Sequence, residues 1–233
     1  MNFFHKTARR KFRIHDTSIV IHEYRSAIHN TYGMVKDLQR EERNYNLDRI
    51  MFEAGDIIVD IGANVGVVSI YLAKCFPFTT VYAYEPVPDN YRHLTMNIAA
   101  NGVTNIKPFN RAVTADGRDI TINVSFDNSG GATAWAPKAD DIKYDQIPST
   151  TVDTILTENR ISKCKLLKID CEGGEYEALL HARKLSRVEY LSGEFHTNSF
   201  LTSKGYTPKR LLAHLTKSIR AEKIKYHECG MAE

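Results

Sequence analysis

From Asp56 onward the chain alternates short apolar runs with longer amphipathic stretches, with turn residues between them. That rhythm predicts an α/β fold. Ile57-Ile58-Val59-Asp60-Ile61, entered through Ala54-Gly55-Asp56, is an apolar run of the kind that fills a parallel strand buried on both faces. Val67 to Phe76 then reads as a helix stopped by Pro77, and Val81 to Tyr84 as a second strand ended by Glu85-Pro86. Asp89 caps the next helix, whose Tyr91, Leu94 and Ile98 share a face and which Asn101-Gly102 ends. Ile106 to Val113, Lys165 to Asp170 and Val188 to Phe195 are the third, fourth and fifth strands, with a helix over Glu175 to Leu185. Thr207 as cap and Pro208 at the first helical position open a helix to about Leu215, and Ile219 to Glu228 is a weakly signalled last strand.

Two stretches depart from the alternation. Ile120 to Phe126 alternates, Asn128-Ser129-Gly130-Gly131 turns and Ala132 to Ala136 returns, which predicts a β-hairpin inserted before the fourth strand. At the start, Phe4, Ala8 and Phe12 fall on one helical face with Lys6, Arg9, Arg10 and Arg13 on the others, which predicts an N-terminal helix. The chain divides accordingly into a basic extension over 1–45, a candidate lid, and one domain over 46–233 with the insert at 117–148.

Composition changes the picture little. The 233 residues are 42% hydrophobic and 25% charged, which excludes fibrous and disordered classes. No apolar stretch approaches the length of a bilayer span. The net charge is +3, but Met1 to Arg25 holds six Lys/Arg against Asp16 and Glu23, a balance of +4, which leaves −1 for the remainder. A nucleic-acid-binding body is therefore not expected. Cys75, Cys164, Cys171 and Cys229 fit neither paired zinc spacing nor a disulfide framework, so a reducing cytoplasm is expected.

The chemistry concentrates in Val59-Asp60-Ile61-Gly62-Ala63-Asn64-Val65-Gly66, a strand that runs into a glycine turn and then a helix. Ligands bind open parallel sheets at such strand ends, beside helix N-termini. The spacing is G-x-x-x-G rather than the dinucleotide G-x-G-x-x-G, and Asp60 would repel a pyrophosphate. A ligand with a cation suits it better. Glu85, ending the next strand, sits where a carboxylate accepts both ribose hydroxyls. Ribose plus a cationic tail describes S-adenosylmethionine.

Asp60 to Gly66, Tyr84-Glu85-Pro86 and Leu167-Lys168-Ile169-Asp170-Cys171-Glu172-Gly173 resemble the three signature blocks of the FkbM family of S-adenosylmethionine-dependent methyltransferases. Asn97, Asn101, Thr151-Val152-Asp153 and Glu194-Phe195-His196 agree as well, so the resemblance spans roughly residues 47 to 200. It implies a class I methyltransferase (Rossmann-like) fold, a seven-stranded, mostly parallel sheet with helices on both faces and an antiparallel last strand. It also implies methylation of a hydroxyl on a sugar, polyketide or related small molecule. Cys171 departs from the family's usual aliphatic residue and reads as a small side chain filling the strand end.

Donor contacts are expected from Asp60, Gly62, Ala63, Asn64, Gly66, Glu85 and Pro86, with adenine near Asn110, Arg111 and Ala112. Transfer to a hydroxyl needs alignment of the oxygen and removal of its proton. The candidate proton acceptors are Asp170, Glu172, Glu194 and His196. Asp170, Glu194 and His196 could ligate a divalent ion, but no ligand spacing demands one and none is expected. An N-methyltransferase would carry an Asn/Asp-Pro-Pro-aromatic motif where this chain has Asp170-Cys171-Glu172-Gly173, and a catalytically silent donor-binding module could dispense with Asp170 and His196. Acceptor specificity is expected in the insert, around Trp135, with Phe126 and Tyr144.

Overall fold

The computed structural model describes residues 7–25, 28–40, 45, 47–125, 128–133 and 142–231. The chain opens with an antiparallel hairpin of β1 (Thr7–Ile14) and β2 (Thr17–Tyr24), followed by α1 (Ile28–Gln39). This corrects the predicted N-terminal helix. The four-residue spacing of Ala8 and Phe12 is common to a helical face and to one face of a strand. Ala8, Phe12 and Ile14 point inward while Arg9, Lys11 and Arg13 alternate outward, and Ile19 and Ile21 repeat the two-residue period on β2. The buried set obeys period two, and that selects the strand.

β3 (Ile57–Ile61), α2 (Val67–Cys75), β4 (Thr80–Tyr84), α3 (Pro88–Asn101) and β5 (Ile106–Phe109) build one half of the central sheet. Next come β6 (Ala112–Val113), β7 (Ile120–Ser125), β8 (Asn128–Thr133), β9 (Ile142–Ile147), β10 (Ser149–Thr150) and α4 (Val152–Glu158). β11 (Cys164–Ile169) then returns to the free side of β3, followed by α5 (Glu175–Leu180), β12 (Val188–Thr197), α6 (Ser199–Ser203), α7 (Pro208–Leu215) and β13 (Ile224–Gly230). Among the described residues the sheet has six strands in the order β13-β12-β11-β3-β4-β5, and every neighbouring pair is parallel.

The expected seventh strand and antiparallel last strand are thus not found there. The helical crossover through α6 and α7 returns the chain in the direction of β12, which makes β13 parallel. The predicted third strand breaks at Asn110-Arg111 into β5 and β6, and β6 pairs with β10 outside the main sheet. The insert forms a three-stranded antiparallel sheet in the order β8-β7-β9. Asn128 to Gly131, expected as a turn, lie within β8. Trp135 and Phe126 lie outside the described residues. Asp89 is not a cap; Val87 holds that position with Pro88 first in α3, and Asp89 sits in the first turn, where the helix dipole favours it. The predicted Thr207 cap of α7 is present, its Oγ1 accepting from the Arg210 amide at 3.2 Å. No helix among the described residues is long and apolar enough to cross a membrane.

Alternation along the strands splits the core into two layers. Val59, Ile61, Leu167 and Ile169 face α4, α5 and α7, whereas Ile58, Val81, Ala83 and Leu166 face α1, α2 and the hairpin. The hairpin is fastened by two side-chain amides of α3. Asn101 Oδ1 accepts from Val20 N (2.8 Å) and its Nδ2 donates to Val20 O (2.6 Å); Asn97 treats His22 N and O the same way at 2.7 and 3.0 Å. Four residues along a helix rise about 6 Å and two along a strand about 6.6 Å, so the amides meet alternate residues of β2 in register. Asn97 Nδ2 also donates to Val65 O at 2.8 Å, which ties the hairpin to the glycine turn. Asn97→Ala should destabilise the protein by roughly 1–3 kcal/mol for each buried backbone group left unmatched, read by urea unfolding, and more than Asn101→Ala, whose site is less buried.

Candidate active site

The strand order reverses between β3 and β11, and their carboxyl ends form the crevice where parallel sheets take ligands. Asp60 and Lys168 are register partners there, on one face. Asp60 is fully buried, accepts from Ser69 Oγ at 2.6 Å and lies 3.1 Å from Lys168 Nζ. Lys168 Nζ also donates to Gly62 O at 2.9 Å and lies 4.0 Å from Asp170 Oδ2. Burial alone would lower the Lys168 pKa, but Asp60 and Asp170 outweigh it and raise it, so the ammonium stays charged. Asp60 therefore positions the turn from below and is not among the residues that line the cavity. Gly62 is required by the convergence of the two strand ends: a Cβ there would lie 1.8 Å from Asp170 O, at a φ of +78°.

Across β4, Glu85 closes over the turn. Its Oε2 accepts from Asn64 N at 2.7 Å and its Oε1 from Val87 N at 3.0 Å, with Asn90 Nδ2 at 3.4 Å. Burial pushes its carboxyl up to about 7 against the lowering effect of those bonds. Asn110, expected beside adenine, instead donates Nδ2 to Glu85 O (2.8 Å) and Pro86 O (2.9 Å), while Arg111 and Ala112 do line the cavity. Ala63 is buried, and Gly66 caps α2 with a φ of +93° against Leu94. Neither lines the cavity.

The four proposed proton acceptors gather at the ends of β11 and β12 but differ in access. Asp170, Glu172 and Glu194 open onto a cavity of about 390 Å³; His196 lies behind Glu172 and does not. His196 Nδ1 is 2.9 Å from Glu175 Oε1, and Nε2 is 3.4 Å from Glu172 and 4.0 Å from Glu194. Glu175 is fixed in turn by the amides of Cys171 (2.8 Å) and Gly173 (3.0 Å). Burial would lower the imidazole, yet the bond to Glu175 and the charges of Glu175, Glu172 and Asp170 raise it to about 10. His196 is thus held by Glu175 and is not among the residues that line the cavity. Glu172 is pushed up to about 8, chiefly by burial and then by Asp170, Glu175 and Glu194, with His196 opposing. Glu194 is raised by burial and Asp170. Glu172 has a φ of +51°, a left-handed conformation that costs about 1–3 kcal/mol in a residue with a long side chain.

The opposite wall falls within the candidate lid over 1–45, although none of its residues was singled out from the sequence. α1 contributes His29, Asn30, Gly33, Met34 and Asp37, and Tyr45 joins them. Nothing in that stretch has a motif; only the period of α1 and its return toward the sheet place it. Glu175 was also missed, although a buried Glu two residues beyond a strand-end turn is a recognisable anchor for backbone amides.

An open parallel sheet with an acid-flanked glycine turn at its switch point defines a Rossmann-like α/β enzyme with a nucleoside-type ligand site. The chain belongs to the FkbM methyltransferase family, whose domain model matches residues 60–219, and is an S-adenosylmethionine-dependent methyltransferase. It is 25% identical over 198 residues to the hexuronic acid methyltransferase AglP of Haloferax volcanii, covering 83% of this chain and 77% of that protein. It is 23% identical over 146 residues to Methyltransferase 1 of Beauveria bassiana, covering 55% and 59%. The chain thus spans less than two thirds of the second relative. The precorrin-6y C5,15-methyltransferase of Geobacter metallireducens superposes with a TM-score of 0.43 at 17% identity, covering 76% of this chain and 71% of that one.

The residues present fit the methyl donor. Asn64 lines the cavity, and its Oδ1 is buried with no hydrogen-bond donor to it among the described residues, an acceptor left over for a polar ligand. Lys168→Met should cost about 3–5 kcal/mol by leaving Asp60 buried and unpaired, and adding Asp60→Asn should recover much of that loss in thermal unfolding.

Proposed function

We propose that the protein transfers a methyl group from S-adenosylmethionine to a hydroxyl of a small polar acceptor. The observation that carries this reading is a single cavity with Glu85 and Asn64 on one side and Glu172 on the other. Glu85, Pro86, Asn64, Arg111 and Ala112 would hold the donor, Glu85 by its ribose. When bound, the donor supplies an electrophilic methyl on a sulfonium: an acceptor oxygen lone pair takes it, the C–S electron pair returns to sulfur, and the acceptor proton leaves to a protein base. Glu172 is the base. A pKa near 8 gives it a usable ionised fraction at neutral pH and enough basicity to draw a proton from an aligned hydroxyl. Glu175 and His196 are positioning residues that keep the Glu172 carboxylate turned to the cavity. Asp170 aligns the acceptor from the end of β11.

Acceptor selection is assigned to α1 and Tyr45 together with the insert. These elements border the cavity, and α1 and Tyr45 precede the family-matched region, so their sequence is free to follow the acceptor. A partly open cavity of about 390 Å³ suits a small molecule. The name of AglP speaks only of that protein's hexuronic acid.

Glu172→Gln should lower kcat about 10²- to 10⁴-fold with donor affinity nearly unchanged, measured with labelled donor and by calorimetry. Donor affinity itself should depend on pH through Glu85. Ribose hydroxyls donate to the ionised carboxylate, so binding of S-adenosylhomocysteine should weaken as pH falls below about 7, by up to about tenfold per unit, and level off above it. Glu85→Gln should bind more weakly and flatten that slope; an unchanged slope would remove Glu85 from the donor site.

A further inference from the structure

We propose that the outer face and tip of the N-terminal hairpin, with Met51 and Phe78 beside the tip, form a surface that docks reversibly on an anionic lipid bilayer. The surface is separate from the cavity and does not depend on the reaction assigned above. β1 turns Arg9, Lys11 and Arg13 to solvent at alternate positions, about 6.6 Å apart along one flat face. Arg10 and, on the adjoining α1, Lys36 are exposed as well. Asp16 is the one acid exposed on the hairpin among the described residues. Its contact with Arg13, at 3.6 Å, joins two solvated side chains, a pairing that water makes weak.

A basic row alone is an ordinary solvated face. The apolar surface at its end sets this one apart. Six large apolar side chains are exposed among the described residues, and three of them, Tyr32, Met51 and Phe78, lie against the hairpin or beside its tip. Tyr32 stands edge-on against Phe12 of β1 at 5.1 Å. At the tip, Thr17 Oγ1 is 3.2 Å from Cys75 Sγ, and the next residue, Phe76, packs on Phe52 at 4.3 Å and on Phe78 at 6.2 Å. Met51 directly precedes Phe52 and is 83% exposed, and Phe78 is 47% exposed. None of these side chains lines the cavity.

The combination selects the occupant. Apolar side chains projecting beside Lys and Arg suit the boundary of a bilayer, where the apolar groups enter the headgroup layer and the cations meet lipid phosphates. A nucleic acid would use the cations but leave Met51 in water. A second copy pairing on the open edge of β1 would set Arg9, Lys11 and Arg13 against their own kind. Asp48 and Glu53, exposed on either side of Met51, offset Arg49 there, so the attraction comes chiefly from the hairpin. That makes the attachment salt-sensitive and reversible.

The test is co-sedimentation of the full chain with vesicles of phosphatidylcholine alone and of phosphatidylcholine mixed with phosphatidylglycerol. Binding to the mixed vesicles should be about tenfold or more tighter than to the neutral ones. It should fall steeply as salt rises from about 0.1 to about 1 M, over which the Debye length shrinks from about 10 to about 3 Å. Lys11→Glu with Arg13→Glu should weaken it about tenfold or more, and Met51→Ser with Phe78→Ser several-fold. Unchanged affinity of both variants for S-adenosylhomocysteine checks that they are folded. Phe78→Trp should gain an emission that brominated acyl chains quench, beyond that of Trp135 in the parent. Equal binding to both kinds of vesicle, or binding to neither, overturns the proposal, as does undiminished binding by the Lys11→Glu, Arg13→Glu protein. Displacement from the vesicles by single-stranded RNA would assign the face to a nucleic acid, and a dimer that Met51→Ser with Phe78→Ser dissociates would assign it to a second copy; either result overturns it too.

Discussion

The buried ammonium of Lys168 is the interaction on which the carboxyl edge of the sheet depends. β3, β4, β11 and β12 each end in or beside an acid, Asp60, Glu85, Asp170 and Glu194, and the turn into α5 adds Glu172 and Glu175. Six carboxylates in so small a volume cannot all be desolvated unpaired, because each buried ion costs several kcal/mol before its partners are counted. Lys168 answers the deepest of them, Asp60, and spends its remaining donors on Gly62 O and the field of Asp170. Its position is set by register: a lysine one residue away on β11 would point to the other face. The ion pair therefore fixes both the glycine turn and the relative height of β3 and β11, and the cavity floor is built on that height.

The other acids are satisfied by means that cost them their charge or their freedom. Glu175 is pinned by two amides and an imidazolium and is structural. Glu85 is pinned by two amides and Asn90, yet remains poised near 7 because burial opposes those bonds. Glu172, held in a left-handed backbone over His196, is raised further. Environment thus gives chemically identical side chains different proton affinities and different freedom at one edge of the sheet.

The central strands, their helices and the acids at their ends were legible because a parallel sheet leaves apolar runs broken by turns and because function puts polar residues at those turns. Asp170, Glu172, Glu85 and Asn64, singled out from such turns, all line the cavity. For Asp60 the sequence locates a strand end but not the face: only the pairing with Lys168 reveals that its carboxylate turns inward. For a related reason the setting of His196 was hidden, since Glu175, a neighbour 21 positions away, holds its ring and raises its pKa. The hairpin was mistaken for a helix because a four-residue spacing satisfies both periods, and the six-stranded edge could not be inferred from a weak terminal run.

Asn97 and Asn101 illustrate how a residue can be recognised in a motif while its reason stays hidden. Nothing local explains two amides one turn apart near the end of a helix. The explanation is the edge strand β2, whose Val20 and His22 would otherwise present unpaired backbone groups to a helix that has none to give. By acting as substitute peptide groups they dock the hairpin on α3, and α1, which follows the hairpin directly, is carried with it over the open edge of the sheet. The wall that faces Glu172 is therefore held by contacts on the far side of the domain. The cavity is thus lined by two separately anchored sets of residues, the strand ends fixed by Lys168 and α1 carried by the hairpin, so a change in one need not disturb the other.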